Sequence, residues 1–284
     1  MRRKWAILAG GTVYLAAMAA GATSPQPAAP PAKLPAAPAP TPHTMPSTRP
    51  IIQDGPTLVT VQFTRADPEA VLAEIRTQTG YNVALYEAAR HMTLFKPVTV
   101  NMRQQPFWAV VREVCAQADL APYAYGYAPS GSLMLTTVLN VGSAPMKCPY
   151  SLHGPFMVAL TGIQRHSAVD MAAPAEVRRT LTLTFTVYAE PRIKVVQCPY
   201  YAEIEEAVDA SGTSLLGTAP RTPSRPAVAP RAIWFAVTAN LPCPAGAPKH
   251  IARLRGVVRC LAGAGEASAA EITIPFSFEN VPLP

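Results

Sequence analysis

The chain predicts an α+β interaction domain, ordered β-α-β-β-α-β-β, followed by an all-β antiparallel sandwich of immunoglobulin-like architecture. Three observations carry this. Strand-period and helix-period apolar patterns alternate between about residues 57 and 140. Beyond about Met146 the helix period vanishes and strictly alternating runs recur. Ahead of both lies a proline- and alanine-rich stretch that cannot bury enough apolar surface to fold. The segments are therefore 1–22, 23–50, 57–140 and 146–284.

Residues 1–22 read as a secretory signal. Arg2-Arg3-Lys4 is the basic n-region, Trp5 to Ala19 the apolar h-region, and Ala20-Gly21-Ala22 an A-x-A cleavage site. The expectation is export to the periplasm or cell surface. The alternative is an uncleaved inner-membrane anchor over residues 5–20, the one case in which a membrane is a partner. Residues 23–50 follow as a tether, since prolines from Pro25 to Pro50 alternate with alanines and favour extended polyproline II.

The interaction domain opens on a half-buried strand, with Val59, Val61 and Phe63 alternating against Thr60, Gln62 and Thr64. Asp67 stands at an N-cap, and Pro68 at the first helical position, where its missing N–H costs nothing. Glu69 complements the positive end of the helix dipole. Val71, Leu72 and Ile75 form the apolar face, Gly80 is a left-handed stop, and Tyr81, Val83 and Leu85 restart a strand. The next stretch repeats this grammar. Val98, Val100 and Met102 alternate, and Pro106 opens a helix whose face is Phe107, Val111, Val114, Cys115 and Ala118, with Trp108 on its shoulder. A hairpin is then expected: Tyr123, Tyr125 and Tyr127 on one face, a turn at Pro129-Ser130-Gly131, and Leu133 and Leu135 returning.

The pattern VTVQFTRADPEAVLAEIRTQTGYNVAL, then KPVTVNMRQQPFWAVVREVCAQADLAPYAY and GSLMLTTV, resembles the secretin and TonB short N-terminal domain over about residues 57–140. The resemblance implies two helices sandwiched between small sheets, serving as a periplasmic protein-interaction module. The chain departs from the family in its paired Phe107-Trp108 and in a longer inter-strand link at Met92 to Lys96. No pore- or barrel-like pattern follows, so the resemblance reaches fold and partner binding, not transport. The overall layout also resembles uncharacterised exported proteins of planctomycete-type bacteria.

In the second half, Phe156, Val158 and Leu160 alternate. Leu181, Leu183, Phe185 and Val187 alternate against four threonines as the clearest strand in the chain. Ile193–Gln197, Ala202–Val208, Ile233–Ala239, Ile251–Cys260 and Ile272–Phe278 supply further strands. Asp209-Ala210-Ser211-Gly212 and Glu266-Ala267-Ser268 supply turn chemistry. A second proline-rich run, from Ala219-Pro220 to Pro230, reads as an exposed loop. Strands at this spacing predict the sandwich.

Of the five cysteines, Cys115 falls on the apolar face of the second helix and reads as a small hydrophobe. Cys148, Cys198, Cys243 and Cys260 form an even set in an exported chain, with three pairings open and at least one disulfide expected. No cysteine–histidine spacing fits zinc, and no two histidines stand four residues apart. Gly-x-Ser-x-Gly is absent. Strand alternation places Glu203 and Glu205 on one face and Glu206 on the other, as a solvated edge. Arg178, Arg179, Arg253, Arg255 and Arg259 read as solvent-facing positions that discourage edge-to-edge association, with an anion-recognising patch as the alternative. The formal net charge of +7 draws three charges from the signal region, and no basic run follows, which excludes nucleic acid as the expected partner.

No catalytic constellation, metal set or cofactor motif emerges, so neither enzyme chemistry nor a cofactor is expected. The expected role is a non-enzymatic exported adaptor for an envelope protein, acting by strand addition to a sheet edge. Tyr123, Tyr125 and Tyr127 are the candidate partner-binding residues if they form an exposed stripe; they are expected to face inward instead, because the alternating Ala124, Gly126 and Ala128 are too small to fill a core. The alternative is a carbohydrate- or peptidoglycan-binding sandwich using exposed aromatics such as Tyr150, Tyr200 and Trp234.

Overall fold

Two β-α-β units stand at the start of the fold. The computed structural model describes residues 55–86, 95–123, 131–138, 145–216, 226–228, 233–243, 248–264 and 269–284. The expected secretory signal and tether and most of the second proline-rich run lie outside them. In the first unit β1 (Leu58–Ala66), α1 (Pro68–Thr79) and β2 (Asn82–Leu85) follow the expected pattern. Asp67 accepts a hydrogen bond from the Glu69 N–H at 2.8 Å, and Gly80 ends the helix with φ 71°, donating to the Arg76 carbonyl. The second unit is β3 (Val98–Pro106), α2 (Phe107–Ala118) and β4 (Leu120–Pro122).

The units are close copies. One offset in sequence lays Val59 and Val61 on Val98 and Val100, and lays Val71, Leu72 and Ile75 on Val110, Val111 and Val114, all buried. The same offset matches backbone at positive φ: Arg65 (51°) with Gln104 (49°), and Gly80 (71°) with Asp119 (53°). Side-chain amides match too. Gln78 accepts from the Thr60 N–H and donates to its carbonyl, and Gln117 does the same to Thr99, in each case across 18 residues. A primary amide bonded to both the N–H and the carbonyl of one residue imitates a neighbouring strand. The β1–β3 ribbon, antiparallel and two-stranded, therefore carries a helix-borne plug on each outer border.

The strand expected to begin at Tyr123 begins earlier, as β4. It pairs antiparallel with β5 (Ser132–Thr137), while β2 joins β5 in parallel, giving the order β2-β5-β4. Parallel pairing puts β5 at the centre, which explains why Leu133 and Leu135 are buried.

The second half is a β-sandwich. One sheet has the order β12-β8-β7-β6, from β6 (Tyr150–His153), β7 (Phe156–Asp170), β8 (Ala173–Ala189) and β12 (Trp234–Pro242). The other is five-stranded, built on β13 (His250–Gly263). This long strand pairs with β14 (Ala270–Pro282) along one side. Along the other it pairs with β10 (Glu203–Asp209) and then β9 (Lys194–Pro199), and β11 (Pro226–Val228) flanks β9. Phe185 meets Phe276 and Phe278 at 4.8 and 6.0 Å in the middle of the core between the sheets.

The two halves share a core. Phe156, Val158 and Leu160 face the sandwich interior, while Met157 and Ala159 on the other face, with Tyr188 of β8, pack on α2. Trp108, expected on the helix shoulder, is 1% exposed, with its ring 5.1 Å from Phe107 and 5.4 Å from Tyr188. The sandwich sheet covers the side of α2 that a lone amphipathic helix would leave wet. The unbroken apolar run Phe-Met-Val-Ala-Leu at 156–160 is the sequence mark of a strand buried on both faces.

Candidate functional site

Three features merit comparison as sites, the first two at the junction of the halves. The first is a buried carboxylate. Glu190, at the end of β8, is wholly inaccessible. It accepts from the Thr57 N–H (2.9 Å) and hydroxyl (2.7 Å), the Tyr81 hydroxyl (3.0 Å) and the Arg192 Nε–H (2.9 Å). Arg192 also donates to the Gly55 carbonyl. Burial, the largest cause, raises the Tyr81 hydroxyl above its ordinary pKa, with the Glu190 charge adding to it and the Thr57 hydrogen bond opposing. A glutamate, a tyrosine and an arginine are groups that catalysis uses. Here every bond named ends on the chain itself, so the cluster works as a knot tying the sandwich to the start of β1. Sequence reading passed over it, since Glu190 and Arg192 flank a lone proline with no motif.

The second feature is a shallow groove of about 430 Å³, lined by Arg112, Lys147, Cys148, Pro149, Tyr150, Ser277, Phe278 and Glu279. The α2 helix supplies Arg112, whose guanidinium lies 4.0 Å over the Tyr150 ring. Its Nε is buried without a hydrogen-bond partner among the described residues. Lys147, from a 3₁₀ turn at Pro145–Lys147, bonds the Asp119 carboxylate, as does Lys96. These two lysines, Lys147 first, hold Asp119 down to about 2. Burial raises the Cys148 thiol above its ordinary range, with Arg112 opposing. The lining of the groove includes the Arg112 and Lys147 cations, the Cys148 thiol, the Tyr150 ring and the Glu279 carboxylate.

The third feature is an open strand border. The β6 strand pairs with β7 only from Phe156 to Ala159, and the Leu160 N–H still reaches the Pro149 carbonyl. Past Leu160, no strand among the described residues flanks β7 on the side away from β8. The β12 strand backs β8 as far as Thr180, and the Cys243 N–H then bonds the Arg179 carbonyl. From Ser167 to Arg179 the hairpin is thus a two-stranded arm. Gln164 to Val169 and Val177 to Arg179 are exposed, and Met171 is 86% exposed.

The sequence-singled residues distribute as follows. Tyr123 is half-buried and stacks on Tyr86 at 4.2 Å, the Tyr123 N–H bonding the Met134 carbonyl, whereas Tyr125 and Tyr127 lie outside the described residues. All five cysteines are thiols. Cys115 is buried in the first core. Cys148 lines the groove, Cys243 follows β12, and Cys198 and Cys260 lie in the sandwich core. The proposed aromatic face does not converge: Tyr150 sits on β6 at one border of its sheet, Tyr200 and Tyr201 lie beside Thr238 of β12 at the opposite border, and Trp234 packs against the first core.

The acidic run needs correction. A β-bulge between Ile204 and Glu206 breaks the alternation: Ile204 and Ala207 face the core, Glu206 lies with Glu203 on the side of the β13 arginines, and Glu205 stays exposed. Glu206 pairs with Arg253 and Arg255, and Glu203 with Arg259, so these arginines are matched by acid on the sheet surface. Among the described residues no three histidine, cysteine or acidic side chains gather as a metal site. No helix there is long and apolar enough to cross a membrane.

No protein-family model, curated protein or solved structure matches this chain.

Proposed function

We propose that the protein is a non-enzymatic exported adaptor that receives an extended segment of an envelope protein along the outer border of β7, beyond Leu160. In this reading the two-helix unit is a secretin and TonB short N-terminal-like module, the sandwich is immunoglobulin-like, and the proline-rich stretch is a spacer ahead of both. One observation supports the choice of border. The β7 edge past Leu160 is long and flanked by no described strand, whereas Gln78 and Gln117 plug both borders of the β1–β3 ribbon. An added strand gains main-chain hydrogen bonds, and Val169, Met171 and Val177 supply apolar contacts for selectivity. Strand addition also supports the arm, because a hairpin standing alone is marginal in water.

The test is recovery of partners from an envelope fraction with the full chain and with a variant in which residues 164–179 are replaced by a short turn. The expected result is one envelope protein retained by the full chain and lost by the variant. Equal retention, or no retained protein, overturns the proposal.

A further inference from the structure

Two sandwich cysteines are placed as a pair. In the β9–β13 ladder Leu261 stands opposite Gln197, and the strands run antiparallel, so the next position sets Cys260 opposite Cys198. Directly opposed residues of an antiparallel pair share a face. Here the shared face is the sandwich interior, with Cys198 7% and Cys260 4% exposed. Opposed Cα atoms in such a ladder lie about 4.5 or 5.5 Å apart, and both separations fall inside the span a disulfide bridges. Burial pushes the Cys260 thiol up to about 12, and the neighbouring Cys198 adds to the shift.

Cys148 and Cys243 are poor partners for each other. Cys148 adjoins Tyr188 at one end of β8, and the Cys243 N–H bonds Arg179 at the other. At about 3.3 Å per residue those points on an extended strand are roughly 30 Å apart.

We propose that Cys198 and Cys260 are the site of a cross-strand disulfide that forms when the chain folds under oxidising conditions and staples β9 to β13. The seam needs it: β9 meets β13 through Leu261–Gln197, Ala262–Val195 and Gly263–Lys194 only, with a register shift inside that short ladder. The bond forms by exchange with a disulfide-bearing oxidant. One cysteine thiolate attacks a donor sulfur and expels the first donor thiol; the second thiolate attacks the resulting mixed disulfide and expels the other. Two S–H bonds become one S–S bond, and two electrons and two protons leave on the donor's two sulfurs. The buried, protonated thiols of the finished fold are poor nucleophiles, so exchange takes place while the sheet is closing.

The test uses the full chain refolded in a mixture of oxidised and reduced glutathione, denatured without reductant in the presence of an alkylating agent, then digested and mapped by mass spectrometry. The expected product is one linked peptide pair carrying Cys198 and Cys260, with Cys115, Cys148 and Cys243 alkylated. Alkylated Cys198 and Cys260, or linkage of either to another cysteine, overturns the proposal. A second measurement covers the staple itself: reductant should lower the unfolding midpoint of the wild-type chain and leave that of C198S/C260S unmoved. Equal midpoints of the wild type with and without reductant overturn it.

Discussion

Removing the Glu190 carboxylate should loosen the joint between the two halves before either core fails. In Glu190→Ala the Thr57 N–H and hydroxyl, the Tyr81 hydroxyl and the Arg192 guanidinium all lose their common acceptor. Taking one partner from a buried ion pair costs about 3–5 kcal/mol, because the other charge is left uncompensated. Arg192 is 24% exposed and keeps its bond to the Gly55 carbonyl, so water and that carbonyl recover part of the loss. The lower end, about 3 kcal/mol, is therefore expected. For a domain of this size that lowers the melting temperature by roughly 6–12 °C. Glu190→Gln keeps the shape but exchanges one acceptor oxygen for an NH₂ group, and should cost about 1–3 kcal/mol. The assay is urea unfolding, read alongside amide exchange at Phe107, whose N–H bonds the Thr57 carbonyl. Destabilisation of Glu190→Ala below about 1 kcal/mol, with Phe107 exchange unchanged, would refute the reasoning, since a spare knot could not then be holding the joint.

Other outcomes follow from single contacts. A Cβ at Gly256 would sit 2.4 Å from the Glu203 carbonyl oxygen and 2.7 Å from Phe276 Cζ, so Gly256→Ala must part β10 from β13. Thermal melts should show a loss of about 1–3 kcal/mol or more. Gln78→Ala with Gln117→Ala strips both plugs from the β1–β3 ribbon. Stability should fall by only about 1–2 kcal/mol, but light scattering should reveal faster association through the bared borders. The Asp119 pKa is lowered from 3.8 to about 2, so its pairing with Lys147 and Lys96 stabilises the fold fully above the ordinary value and is lost as pH falls through about 2. Carboxyl NMR titration checks this, and a midpoint near 3.8 would contradict it.

Local structure was legible where each residue type has one cheap conformation. Asp67-Pro68 and Gly80 mark the ends of α1 without reference to anything distant. Relations across the sequence were not. The parallel pairing of β2 with β5 leaves no local signature, and a strand length as short as Leu120–Pro122 hides behind the aromatic run after it. The bulge at Glu205 brings Glu206 to the side of Glu203, and alternation alone has no term for it. Glu190 was silent for a similar reason. A lone glutamate beside a proline reads as surface until Thr57 and Tyr81 arrive from more than a hundred residues away.

The duplicated β-α-β units also explain why the sandwich docks on one helix and not the other. Under the offset that matches Gln78 with Gln117, Glu69 of α1 falls on Trp108 of α2, and Arg76 falls on Cys115. On α1 these positions form an ion pair at 3.1 Å, with both side chains about a third exposed and Arg76 reaching the Val83 carbonyl. On α2 the same stripe is an indole and a thiol, both buried, and Tyr188 of the sandwich packs against the indole at 5.4 Å. Burying a paired charge gains little, whereas burying an aromatic of Trp size brings one of the largest apolar areas a side chain offers. The substitution therefore converts a solvated stripe into a docking face while leaving the strand, the plug and the left-handed stop of the unit intact. Restoring the α1 chemistry, with Trp108→Glu and Cys115→Arg together, should detach the sandwich from α2 and leave the β1–β3 ribbon paired. Near-ultraviolet circular dichroism, read with amide exchange on β1 and β3, would show this as lost aromatic signal over protected ribbon amides. Loss of both together would mean that the unit cannot stand without the sandwich.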